Sequence, residues 1–314
     1  MRADPRAGRA WPGRDGAGAE LRRLRDLLRY AVSRFEAAGL AYGQGTDNSH
    51  DEAVWLLLWA LHLPPQRLEP YLDARLTGAE IDTILTLIDR RCDERLPAAY
   101  LTGEAWLHGL RFASDARALI PRSLIADALA GGPDGGLSDW LAEPPATVLD
   151  LCTGGGSLAV LAALRYPEAR VIAADLSDDA LALARENLAL HGGADRGTLA
   201  RGDLFEAAGG QVSDLILCTP PYVNAASMRA LPAEFLAEPQ AALAGGDDGM
   251  DLVRRIVGQA AAHLSRDGGL LLEIGHEAAH FEAAFPKLEF AWLPVPAGDD
   301  QLAWVTRAQL AGRR

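Results

Sequence analysis

Cysteine is scarce in this chain. Cys92, Cys152 and Cys218 are the only three among 314 residues, too few and too scattered for a disulfide scaffold or a zinc cluster. No metal site is expected, and a reducing cytoplasm fits. A long apolar run is also missing: the best candidate, residues 53–63, ends at Pro64-Pro65, well short of the roughly 18 residues a membrane helix needs. The first twenty residues carry Arg2, Arg6, Arg9 and Arg14 but no apolar centre, which excludes a secretory signal. Asp4, Asp15 and Glu20 count against a transit peptide, and a disordered leader over 1–19 is expected. Positive charge is in deficit. With 30 Lys and Arg against 43 Asp and Glu, the net charge of −13 argues against gripping nucleic acid by its phosphates. Such a surface attracts a basic protein, or simply maintains solubility. No internal repeat is present.

What remains is a globular composition, 49% hydrophobic and 23% charged, long enough for one ordinary domain and one small one. Leu21, Leu24, Leu27, Leu28, Ala31, Val32 and Phe35 recur at helical spacing up to Gly39. Ser49 with Glu52, and Thr77 with Glu80, read as capping boxes before apolar helices. These features predict a helical domain over 20–95, a candidate substrate-recognition module. Short aromatic runs cut by Gly103 and Gly109 predict a hairpin linker over 96–115. Over 116–314, strands at 148–151, 171–175, 215–218 and 270–274 alternate with helices near 157–166, 178–191 and 252–264. The tail segments 290–295 and 302–306 suit an antiparallel pair. This rhythm predicts a doubly wound α/β domain with a mostly parallel sheet.

Two constellations carry chemistry. The first, Asp150-Leu151-Cys152-Thr153-Gly154-Gly155-Gly156, leaves a strand and opens a helix; its glycines let a ligand approach the backbone closely. Asp175 ends the next strand 25 residues after Asp150, where nucleoside-binding folds place a carboxylate on ribose hydroxyls. Asp150 is expected to hold an amino-acid ammonium. Asp203, followed by Leu204, is placed to reach an adenine amino group. Together with Thr153, Gly154 and Gly156, these acids predict a bound adenosine-type cofactor, S-adenosylmethionine. The second constellation, Thr219-Pro220-Pro221-Tyr222, follows the fourth strand beside the cofactor edge. Its prolines stiffen the backbone and remove two N–H donors, and Tyr222 offers a flat wall to a planar group. Cys152 and Cys218 read as packing residues, and His276 with His280 as surface residues without a third ligand.

Asp-Leu-Cys-Thr-Gly at 150–154, Gly-Asp-Leu-Phe at 202–205 and Pro-Pro-Tyr at 220–222 resemble the glutamine side-chain amide methyltransferases. Gly45-Thr46-Asp47-Asn48, Asp51-Glu52-Ala53-Val54, Ile120-Pro121-Arg122-Ser123, Glu238-Pro239 and Gly249-Met250-Asp251 are similar to the branch acting on large-subunit ribosomal protein three. The resemblance covers about residues 20–310 and implies a seven-stranded methyltransferase sheet, S-adenosylmethionine and a basic ribosomal protein partner. It also implies that Thr219, Pro220 and Tyr222 act in catalysis. Thr219 to Tyr222 would bind the acceptor amide, with Thr219 bordering the cofactor as well. The family carries asparagine at position 219, a side chain that donates to the acceptor C=O and accepts from its N–H. Thr219 offers one hydroxyl in its place, and Gly155 and Ser157 stand where the branch commonly has Ser and Cys. Two alternatives stay open from sequence: another acceptor such as a nucleobase amine, and a cofactor-binding relative with little activity.

Overall fold

The apolar stripe that begins at Leu24 is a helix, Leu24–Ala38, in the computed structural model, which describes residues 14–131, 136–193 and 196–312. Gly39 ends it with φ +59°, a left-handed turn that glycine adopts without strain. The chain divides into two compact units. One comprises the residues up to Gly103 together with Pro232–Ala237; the other comprises Glu104–Leu231 and Glu238–Arg314.

The first unit is helical: Arg14–Glu20, Leu24–Ala38, Ser49–Ala60, Gly78–Asp93 and Ala98–Thr102. Its core is formed by Leu27, Phe35, Leu56, Leu57, Ile81, Ile84 and Ile88. Each such side chain contributes about 1.5–3 kcal/mol on burial. The Thr77–Glu80 capping box is present. The Ser49–Glu52 box is not: Asn48 caps that helix by accepting from the Asp51 N–H at 2.9 Å, while Glu52 turns into the core. Residues 98–102 were expected in a hairpin but form a short helix, entered at Pro97 and closed by Gly103 at φ +73°. The expected leader over 1–19 lies outside the described residues up to position 13, and the helix Arg14–Glu20 begins within it.

A buried ion cluster holds the later segment in this unit. Arg91 is 1% exposed and donates from Nε to Glu52 at 2.7 Å and from a terminal nitrogen to Glu234 at 3.4 Å. Glu234, fully buried, also accepts from the Ala41 N–H at 3.1 Å and pairs with Arg95 Nε at 3.0 Å. Thr46 donates to Glu52, so the Gly45–Asn48 and Asp51–Val54 motifs serve this cluster.

The second unit opens with a hairpin, β1 (Glu104–Leu107) and β2 (Leu110–Ala113). Seven strands then build one sheet: β3 (Thr147–Leu151), β4 (Arg170–Asp175), β5 (Gly197–Arg201), β6 (Ser213–Cys218), β7 (Leu264–Glu273), β8 (Ala291–Trp292) and β9 (Leu302–Thr306). Their order is β5-β4-β3-β6-β7-β9-β8, parallel except where β9 runs antiparallel to β7 and β8. Alternate residues feed opposite cores. Val148, Val171, Leu215 and Leu271 pack on the side of the helix Ser157–Arg165. Leu149, Ile172, Ile216 and Leu270 pack on the side of Asp251–His263. Burial on both faces explains the nearly continuous apolar strands. Chain order reverses between β3 and β6, so their exit loops flank the crevice where open α/β sheets bind ligands.

Candidate active site

At that switch point lies a cavity of about 380 Å³, within the usual range for small-molecule sites of roughly 300–1,000 Å³. The loop after β3 forms one wall through Cys152, Thr153, Gly154 and Gly155. Asp175 and Ser177 come from the end of β4, Asp203 and Leu204 from the end of β5, and Thr219–Tyr222 from the end of β6. Cys152 and Leu204 hold φ of +57° and +53°, strained for side chains of their kind, and both line the cavity.

Thr153, Gly154, Asp175, Asp203, Leu204 and Thr219–Tyr222 are thus brought together as expected from their positions at strand ends. Two others are not on the wall. Asp150 is fully buried beneath the loop, where its Oδ2 accepts the Thr153 hydroxyl at 2.5 Å. It supports the loop from beneath and does not line the cavity, where the ammonium contact expected from the sequence would be made. Burial raises its pKa to about 7. Gly156 faces the neighbouring helix Asp178–Leu190: at φ +79°, a Cβ there would stand 2.9 Å from that of Ala184. It is a close-packing glycine rather than a ligand contact.

Asp175 orders the loop as well as facing the cavity. One carboxylate oxygen accepts the Gly154 N–H at 2.9 Å and the other accepts the Ser177 N–H at 2.9 Å. A carboxylate has about four lone-pair sites, so capacity remains for ribose hydroxyls. Asp203 Oδ2 pairs with Arg255 at 2.7 Å, a partner that the sequence alone did not reveal. The apolar walls, the strand-end carboxylates and the glycine-lined loop match what S-adenosylmethionine presents, and the residues fit that cofactor. Among the described residues, no cluster of His, Cys, Asp or Glu is arranged to hold a metal ion.

The wall opposite the glycine loop contains a network the sequence reading missed. Glu273, the last residue of β7, is 4% exposed and lines the cavity. Its Oε2 accepts the Ser123 hydroxyl at 2.5 Å and the Leu124 N–H at 3.0 Å, and its Oε1 accepts the Tyr222 hydroxyl at 3.2 Å. Thr219 Oγ1 lies 3.0 Å from Ser123 Oγ and 3.4 Å from Glu273. Burial pushes the Glu273 carboxyl above its usual range, against the hydrogen bonds that lower it. The signal was available: one carboxylate closing the run Leu270-Leu271-Leu272-Glu273 is a charge where an apolar residue would pack. The segment bearing Ser123 is itself held by Arg122, which donates to the buried Glu238 at 2.9 Å. Gly275, at φ +52°, closes on the Tyr222 ring, which an added Cβ would meet at 2.8 Å. Cys218 is fully buried against Cys152, a packing role; burial raises its thiol well above the usual range.

Comparison with known proteins places this geometry in context. The methyltransferase small domain family matches residues 137–249, and the PrmC N-terminal domain family matches 26–103. The ribosomal protein uL3 glutamine methyltransferase of Bordetella pertussis is 57% identical over 93% of this chain and 97% of its own length. Its namesake in Burkholderia pseudomallei is 52% identical, covering 91% of this chain and 95% of the relative. That of Bradyrhizobium diazoefficiens is 45% identical over 96% of this chain and 97% of its own length. With a methyltransferase sheet, a cofactor-shaped crevice and relatives matched end to end, the chain is an S-adenosylmethionine-dependent enzyme and belongs to the ribosomal protein uL3 glutamine methyltransferase family.

Proposed function

We propose that this chain methylates the side-chain amide nitrogen of a glutamine in ribosomal protein uL3, in the cytoplasm. The observation that carries the reading is the juxtaposition of Thr219-Pro220-Pro221-Tyr222 with the glycine loop and Asp175 around one cavity. When bound, S-adenosylmethionine would supply a sulfonium methyl: the amide N–CH3 bond forms as the S–CH3 bond breaks, S-adenosylhomocysteine leaves, and the proton lost from the amide nitrogen passes to solvent.

An amide nitrogen is a weak nucleophile because its lone pair is delocalised, so the protein's contribution is positioning and polarisation. Gly154 and Asp175 would hold the amino-acid and ribose ends of the cofactor, and Asp203 with Leu204 would border the adenine. Tyr222 presents its ring to the planar acceptor amide, and Pro220 and Pro221 keep that wall rigid. Much of the lining is apolar, which strengthens the few hydrogen bonds the wall can make to the amide. The helical unit, with its own core, is assigned recognition of the protein substrate. The acidic chain favours a basic ribosomal protein over nucleic acid. Among the described residues no helix is long and apolar enough to cross a membrane.

Mass spectrometry of uL3 from wild-type and deletion cells tests the proposal, together with methylation of purified uL3 by the purified enzyme. A single methylglutamine lost on deletion and restored in vitro is expected. Unmodified uL3 in wild-type cells, with no transfer in vitro, overturns the reading.

A further inference from the structure

The hydrogens in the buried network can be assigned from its donors and acceptors. As a carboxylate, Glu273 only accepts, and its 2.5 Å contact with Ser123 Oγ uses the Ser123 hydrogen. Ser123 Oγ also accepts the Ile125 N–H at 3.2 Å, leaving one lone pair for Thr219. In the 3.0 Å contact between the two hydroxyls, Thr219 must therefore be the donor. Its alternative acceptor, Glu273 at 3.4 Å, lies in the same network. Either way the single hydrogen of Thr219 is spent inside the protein. The side chain is only partly buried and lines the cavity, so it presents lone pairs there.

We infer that Glu273 is a positioning residue that, through Ser123, makes Thr219 a hydrogen-bond acceptor, so that the site takes an N–H-bearing amide and rejects a carboxylate. This rests on the glutamine reading above and deepens it. A glutamine amide offers two N–H donors to such a wall, whereas a glutamate side chain sets its lone pairs against those of Thr219. Opposed lone pairs act as a repulsive element against the carboxylate, which an apolar wall would lack. Thr219 thus reproduces the accepting half of an asparagine clamp and omits the donating half.

The test reads binding, with S-adenosylhomocysteine present to prevent turnover. Calorimetry compares uL3 with a uL3 variant whose acceptor glutamine is changed to glutamate, on four enzymes: native, Glu273→Leu, Thr219→Val and the double variant. Losing the Glu273 charge favours glutamate in either background, so the informative quantity is the difference between backgrounds. Glu273→Leu should lower the glutamine-over-glutamate preference about tenfold more when Thr219 is present than when valine replaces it. Equal shifts in both backgrounds overturn the proposal. Should the leucine variant fail to fold, Glu273→Met, similar in length and unable to accept strongly, enters the same cycle. Glu273→Gln serves as the conservative control: the Leu124 N–H keeps its amide oxygen toward Ser123, so the Thr219-dependent part of the preference should persist. If native enzyme binds neither form of uL3, the glutamine reading has failed and this inference falls with it. Binding of both forms with no preference overturns this inference alone.

Discussion

Thr219 Oγ1 stands 3.0 Å from Ser123 Oγ, joining the exit of β6 to a segment 96 residues earlier in the chain. The contact determines what Thr219 has left to offer an acceptor amide, and so what asparagine would add there. Restoring asparagine supplies an N–H for the acceptor carbonyl.

Thr219→Asn is therefore expected to raise the rate of transfer to uL3, by about 10²-fold if one transition-state hydrogen bond is gained. Single-turnover transfer of labelled methyl compares the two forms. A fast native enzyme that loses activity on this change would show that the wall is built around threonine.

Asp175→Ala removes a carboxylate that faces the cavity and orders Gly154. Affinity for S-adenosylmethionine should weaken by about 1.5–3 kcal/mol, the scale of hydrogen bonds to a charged group. Unchanged calorimetric affinity in a folded variant sinks the ribose assignment.

Asp150 carries a pH signature. Its folded pKa, about 7, lies above its ordinary value of 3.8, so the native state binds a proton that the unfolded chain releases. The stability this contributes is complete below the unfolded value and is lost as pH rises through the folded one. Asp150→Asn should flatten this part of the pH dependence of the unfolding midpoint between about pH 4 and 7. A wild-type and a variant profile that run parallel across the window refute the assignment.

Arg91→Ala leaves Glu52 and Glu234 buried without their shared cation. Breaking a buried pair from one side costs about 3–5 kcal/mol, which urea unfolding of the helical unit should register. Combining Arg91→Met with Glu52→Gln should recover most of the loss, because Glu234 keeps its pairing with Arg95 and no buried charge is left without a partner. A loss under 1 kcal/mol for the single variant, roughly that of a surface pair, would show that water reaches the cluster.

The sheet was readable because burial on both faces writes β3, β4 and β6 as short apolar runs, and each ends at residues that line the cavity. The glycine loop and Thr219–Tyr222 were readable for the same reason. Depth was not. Asp150 and Gly156 sit inside a motif whose neighbours face the cavity, and nothing in residue order separates wall from support. Ser49 and Asn48 are both good caps, and only the inward turn of Glu52 decides between them. Ala98–Thr102 looked like a strand because its residues favour either state in so short a run. Glu273 and Glu234 were missed because their partners lie far away in sequence.

The helical unit includes Pro232–Ala237, and this has a consequence for synthesis. Arg91 leaves the ribosome 143 residues before Glu234 does. At about 5–20 residues per second, roughly 7–30 s pass before the cluster can be completed. During that interval Arg91 and Glu52 have each other but lack the second carboxylate, and the helices wait unfinished. The N-terminal unit therefore completes its fold late in translation, out of the order in which its residues emerge.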